Sequence, residues 1–380
     1  MMRLGSVVHF FSRFPMQFAL PNVEPVGRTH NTLAAKRLIW LDGLRSVAVF
    51  SVLCAHMLQY WSVYDAYRGD IFQMGLFGVV VFFFTSGYII PISALRHQSF
   101  SHFWWARIWR LYPAYWLSVG WAVLWLWLGV TSMPGSASHA SASVVVWNFS
   151  VLAAFAQQPL LIGVYWTLGL ELVFYVLVSL ALVLRLLQYP ALFAGGLLAT
   201  CVLLQILLPA EQAVIFTQWT LFVACLWCGS VAQQVQSGVA PRRTGWAIGL
   251  LWLGVVLLQL ALPGTTGMVA AELAAGALSL AALLWRPRIL LGVWCWLGQI
   301  SYSLYLFHLL IVEALPWAQY PLCSTFLAIL LSLGVAAVGE RLVERPGIAF
   351  GRWIATRSSS FRTRSLNVSG DQRSAVTTER

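Results

Sequence analysis

The chain has 380 residues, 60% of them apolar and only 9% charged, and its mean hydropathy is +0.78. That balance lies far outside the range of a soluble domain. Repeated apolar runs of roughly 18–22 residues, enough to cross about 30 Å of hydrocarbon, define a polytopic all-α membrane protein. The net charge of +11 does not point to nucleic acid, because the basic residues sit in short connections and tails between apolar runs and not in a patch on a soluble face.

Residues 1–36 read as a cytoplasmic N-terminal extension, broken by Pro15, Pro21 and Pro25. The apolar piece after Arg3 is cut short by Ser12 and Arg13 and no clean small-residue cleavage site follows, so a signal peptide is not expected. A bundle of about ten transmembrane helices is then predicted over residues 38–60, 73–93, 111–130, 166–187, 190–208, 214–235, 245–262, 267–285, 292–313 and 322–342. Basic residues alternate with these spans. Arg28, Lys36 and Arg37 precede the first; Arg96, Arg107 and Arg110 precede the third; Arg185, then Arg242 and Arg243, then Arg286 and Arg288 follow later ones. All fall on one side, which predicts both termini in the cytoplasm. The multi-pass domain should cover residues 37–346. Residues 347–380, rich in Ser, Thr and Arg, are expected to form a disordered basic cytoplasmic tail near anionic headgroups.

Residues 144–164 are apolar enough to compete as a span, but Asn148, Gln157, Gln158 and Pro159 interrupt them. They are expected as a re-entrant or interfacial piece in the large outer connection. The C-x-x-C of Cys225 and Cys228 lies within an apolar helix, where small-residue packing accounts for it better than redox chemistry or metal binding, and no metal site is expected.

The first span, LDGLRSVAVFSVLCAH over residues 41–56, carries Asp42, Arg45 and His56. Eleven helical positions advance about 16 Å and return to within about 20° of the starting face. Arg45 and His56 therefore share one stripe. Ionisable groups in a span cost about 2.5–3.5 kcal/mol each on insertion scales and usually face the bundle interior. Arg107 and Arg110, three apart on one face, can offer forked donors to phosphate, with Arg96 adding to the field. Glu171 lies about five residues into the fourth span. Asp42 is expected to partner Arg45 or to serve as a helix N-terminal charge. Ser86, beside Gly87, suits close helix packing; Tyr302 and His308 sit in the ninth span; Trp166 is placed to stack on a sugar.

The motifs resemble the acyltransferase-3 family of integral membrane acyltransferases. The likeness rests on Arg45-x10-His56 after LDGLR, GVVVFFFTSGYII (78–90), RIWRLYPAYW (107–116), WTLGLELVFY (166–175), LGQISYSLYLFH (297–308) and VERP (343–346), in that order. It covers about residues 38–350. Val80 and Ala106 stand where family members often have an acidic residue and an arginine. The resemblance implies an O-acyltransferase, usually an acetyltransferase, of the bacterial cytoplasmic (inner) membrane. It implies transfer from cytoplasmic acyl-CoA to a hydroxyl of a surface polysaccharide or lipid-linked glycan. Acyl-CoA then serves as donor substrate and not as a resident cofactor. Partners are the lipid bilayer, the glycan acceptor and glycan-biosynthesis proteins. His56 would act as general base or acyl carrier, Arg45 would hold the donor or polarise its carbonyl, and Glu171 would orient the imidazole or the sugar. The competing reading is a multispanning transporter or flippase of a glycan or small molecule without acyl transfer.

Overall fold

The computed structural model describes residues 38–61, 71–96, 100–129, 141–286 and 292–354. The expected N-terminal extension and the end of the basic tail lie outside them. Among the described residues the regular structure is entirely helical. The helices are α1 (Ile39–Leu58), α2 (Met74–Arg96), α3 (Phe100–Trp127), α4 (Ala142–Phe149), α5 (Trp166–Val183), α6 (Pro190–Leu207), α7 (Ala210–Gln236), α8 (Arg242–Leu258), α9 (Thr266–Trp285), α10 (Gly292–Gln299), α11 (Ser301–Val312) and α12 (Pro321–Gly339).

Among the described residues, eight helices are long and apolar enough to cross a bilayer, and the pair α10–α11, bent by 74° at one residue, makes a ninth if taken as one span. The 28-residue α3 carries Arg107 and Arg110 and overlaps the third expected span. Every expected span thus coincides with a helix or the bent pair. The third begins eleven residues earlier than expected, at Phe100. Its arginines lie inside the helix and not in a connection, because they turn into the protein: Arg107 is buried.

Residues 144–164 do not form one continuous helix. The eight residues of α4 reach only about 12 Å. Asn148 then folds the chain back, its amide nitrogen donating to the carbonyls of Val144 (2.8 Å) and Pro159 (3.0 Å) and its amide oxygen accepting from Leu161 N–H (3.0 Å). The side chain supplies hydrogen bonds that lipid could not.

In lipid, close packing replaces the hydrophobic drive between helices. At the α2–α7 crossing a Cβ on Gly87 would sit 1.8 Å from the Leu226 carbonyl oxygen, and one on Gly229 would sit 2.2 Å from that of Phe84. Ser230 Oγ donates to the Gly87 carbonyl at 2.9 Å, and Cys225 Sγ lies 3.5 Å from that of Val80. The sulfur of the C-x-x-C therefore serves packing. The peripheral helices α6 and α8 leave Leu192, Leu203, Leu207, Trp246 and Leu250 exposed, as lipid-facing residues should be.

The last long helix does not end at the expected boundary. Arg345 N–H bonds back to the Glu340 carbonyl, five residues earlier, so Glu340–Glu344 form a π turn, and the helix runs on to Ile354. The first residues assigned to a disordered tail are thus helical. They pack on α3, where the rings of Trp109 and Phe350 lie 4.4 Å apart.

Replacing Gly87 by Ala should destabilise the protein by about 1–3 kcal/mol or more, because backbone and not a flexible side chain opposes the new methyl. Gly120→Ala, with nothing within 4 Å of its Cβ, is the control. Thermal unfolding of the purified proteins should show a lowered midpoint for the first and none for the second.

Candidate active site

Helices α1, α2, α3, α5 and α11 enclose a cavity of ≈ 80 Å³. Its polar lining comes from Arg45, Ser86, Arg107, Arg110, Glu171 and Tyr302, all singled out from sequence, together with Thr85, Thr167, Tyr175, Ser301 and Tyr305. The remainder is apolar, chiefly Val79, Phe82, Phe83, Ile89, Ile90, Leu111 and Leu168. Three guanidiniums and one carboxylate on a single cavity, inside a bundle bound for hydrocarbon, are costly to assemble. Each needs a partner.

Arg107 is stacked. Its guanidinium carbon lies 5.6 Å from the ring centres of both Phe103 and Tyr175, within cation–π range. Its Nε is buried with no hydrogen-bond partner. An unpaired donor on a buried guanidinium is a place for an anionic or carbonyl oxygen. Tyr175 donates from its hydroxyl to Glu171 Oε1 at 2.5 Å. The tyrosine thus braces the carboxylate on one side and the guanidinium on the other. Tyr302 donates to the Leu111 carbonyl at 2.6 Å and fixes α11 against α3.

Arg45 has Arg110, Glu344, Asp42 and Glu171 as its charged neighbours. Asp42, one helical turn before Arg45, is buried. Glu344 was not singled out from sequence. It is buried, accepts from Ser303 Oγ at 2.9 Å, and faces Arg110 and Arg45. The π turn explains how: with the bonded groups five positions apart, Glu340 and Arg345 come to one side and pair there, which leaves Glu344 directed inward. The signal available was an acid between Val343 and Arg345 in VERP, legible only once the helix is known to continue.

His56 is not among the cavity-lining residues. It lies on the same face of α1 as Arg45, farther along, and its ring centre is 5.2 Å from that of His308 on α11. His308 is buried. Between the pair and the cavity stands Tyr305. Its ring is 6.0 Å from His308, and its hydroxyl is fixed by Thr167 Oγ1 (2.8 Å) and the Val164 carbonyl (3.1 Å). Beyond the pair, Tyr60 stacks on Trp317 at 4.7 Å. Glu171 stands with the arginines. Ser86 lines the cavity, while the neighbouring Gly87 serves the helix crossing. Trp166 packs against Phe222 (5.2 Å) and Trp219 (5.5 Å) and does not line the cavity. Arg96 ends α2, and its side chain lies outside the described residues.

A multi-pass bundle that gathers three guanidiniums, a braced carboxylate and an imidazole pair has the groups that a membrane-embedded group-transfer site needs. Comparison with known proteins names the group. Residues 38–340 match the family described as "Acyltransferase domain", and the chain belongs to that family. Over 300 residues, 75% of this chain, it is 28% identical to the exopolysaccharide production protein ExoZ of Rhizobium meliloti (strain 1021), covering 93% of that protein. Over 103 residues, 26% of this chain, it is 34% identical to the putative peptidoglycan O-acetyltransferase YrhL of Bacillus subtilis (strain 168), covering 15% of that protein. No solved structure matches. The protein is an integral multi-pass membrane O-acyltransferase.

Arg107→Lys should lower acyl transfer by about 10-fold or more. It keeps the charge but loses the planar fork and the stacking on Phe103 and Tyr175. Acyl-transfer assays on membranes matched for protein content would read this, and a variant as active as wild type would remove Arg107 from the site.

Proposed function

We propose that the enzyme takes its acyl group from a cytoplasmic acyl-CoA, most simply acetyl-CoA, and delivers it to a hydroxyl of a cell-surface polysaccharide or lipid-linked glycan. The observation that carries this reading is the pairing of two groups on one face of α1: Arg45 in the arginine-lined cavity, and His56 about 16 Å further along. The relatives' names, exopolysaccharide production and peptidoglycan O-acetylation, support the class of acceptor.

In this reading the end of α1 that bears Arg45 faces the cytoplasm, both chain termini lie there, and the membrane is the bacterial inner membrane. The phosphates of CoA bind near the cytoplasmic mouth, where Arg107 and Arg110 offer charge-assisted donors, and Arg96, the last residue of α2, is the third basic residue assigned to them. The pantetheine arm threads from the cavity along the Arg45–His56 face of α1, which brings the thioester carbonyl to His56, while Arg45 holds the donor behind it. His56 either removes the proton of the acceptor hydroxyl or takes the acyl group onto a ring nitrogen and passes it on. In both routes the acceptor gains the acyl C–O bond, the thioester C–S bond breaks, and the proton of the hydroxyl ends on the CoA sulfur. Glu171, braced by Tyr175, holds the cationic wall in register. Glycan-biosynthesis proteins supply the acceptor.

Mass spectrometry of surface glycans from a deletion strain tests the reading. Complementation with the wild type should restore O-acyl groups, and complementation with His56→Ala at equal membrane abundance should leave them at least about 100-fold lower. Full O-acylation with His56→Ala, or unchanged glycans in the deletion strain, would overturn it.

A further inference from the structure

We propose that His308 is the proton partner of His56, a role that rests on the reading of His56 given above. His308 Nδ1 lies 3.1 Å from the Leu304 carbonyl oxygen and 2.9 Å from that of Tyr305. A carbonyl oxygen only accepts, so Nδ1 carries the proton. The other ring nitrogen, Nε2, is then a bare lone pair. It is buried and has no hydrogen-bond partner, while the ring itself is 1% exposed and lies 5.2 Å, centre to centre, from His56. A buried base left without a donor beside the proposed reacting imidazole is a proton acceptor held ready.

No other side chain on that face of α11 fills the role. The hydroxyl of Tyr305 is already committed to Thr167 and the Val164 carbonyl. The backbone carbonyls also pin the ring: the Nδ1 contacts hold the tautomer that leaves Nε2 open, as an orienting group does for a paired histidine.

The step balances as follows. The acceptor hydroxyl attacks the thioester carbonyl and gives its proton to one ring nitrogen of His56. The proton on the other ring nitrogen of His56 passes to His308 Nε2, so His308 becomes the imidazolium while His56 stays neutral. The C–O bond forms, the C–S bond breaks with its electron pair on sulfur, and the histidine pair returns one proton to the thiolate. Ester and free thiol leave. If His56 is itself acylated first, its ring becomes cationic, and the same Nε2 takes the remaining N–H proton before passing it to the thiolate.

His308→Asn separates this role from a structural one. The asparagine amide can still donate to the Leu304 and Tyr305 carbonyls but has no basic nitrogen. Inverted membrane vesicles carrying the full chain and the native glycan would be supplied with acetyl-CoA and assayed for glycan O-acetyl groups across about pH 6 to 9. His308→Asn should be present at wild-type abundance with a transfer rate lower by about 10²–10⁴. Its rate should keep climbing with pH, because hydroxide must replace the missing base. His308→Ala should recover part of its rate on addition of imidazole, which keeps the test open if the asparagine variant fails to accumulate. A rate within about threefold of wild type, or a loss that leaves the pH profile unchanged and resists imidazole, would overturn the proposal. His56→Ala runs alongside: transfer that survives it would instead remove the reading on which the proposal stands.

Discussion

The structure depends on keeping three guanidiniums ionised inside a bundle built for hydrocarbon. Arg45, Arg107 and Arg110 line one cavity, and an uncompensated buried charge costs several kcal/mol even after relaxation. Compensation comes from three helices. Asp42 lies on α1 with Arg45, Glu171 on α5, and Glu344 on the turn that follows α12. The helices that pack around the site are thus those that carry a charge into it or close over it. Apolar burial alone would let these helices slide, since lipid is as apolar as leucine. The ionic cluster fixes their mutual register.

Register in turn demands close backbone approach. At the α2–α7 crossing the helices touch through Gly87 and Gly229, and the α10–α1 crossing uses the same device, a Cβ on Gly298 falling 2.3 Å from the Asp42 carbonyl oxygen. That carbonyl also accepts from Ser46 Oγ at 2.8 Å. The chain therefore brings α10 down upon the residue that begins the charged stripe of α1. The break at Ile300 then redirects α11 so that Tyr302, Tyr305 and His308 face the cavity and the histidine pair.

Much of this was legible in the sequence because the relevant forces act along one helix. The spans follow from apolar length, and the shared face of Arg45 and His56 follows from helical period. What failed to show was whatever depended on a neighbour. The third span was expected to start after Arg110, since a hydropathy count treats any arginine as a reason to leave the membrane. The structure keeps Arg107 and Arg110 within α3 because Tyr175, Phe103 and two carboxylates receive them. Glu344 escaped notice for the same reason: its inward direction comes from an i→i−5 hydrogen bond, which no residue type announces. Glu171, expected to orient the imidazole or the sugar, stands with the arginines. Sequence position gives depth along a helix but not the tilt that decides which depths meet.

The cavity and the histidine pair lie on successive parts of the same α1 face, yet Tyr305 stands between them, its hydroxyl held by Thr167 and by the Val164 carbonyl and its ring against Phe82 at 5.8 Å. Both hydrogen bonds lead to the start of α5 and the turn before it, so the position of this ring is set by the same segment that presents Glu171. Past the ends of α1 and α11, Tyr60 stacks on Trp317 at 4.7 Å, and Trp317 Nε1 donates to the Val312 carbonyl at 2.5 Å. The histidines thus lie beside the ring of Tyr305, while Arg45 has carboxylates as neighbours. The guanidinium-lined cavity and the histidine pair thus follow one another along a single face of α1, with the Tyr305 ring adjoining both.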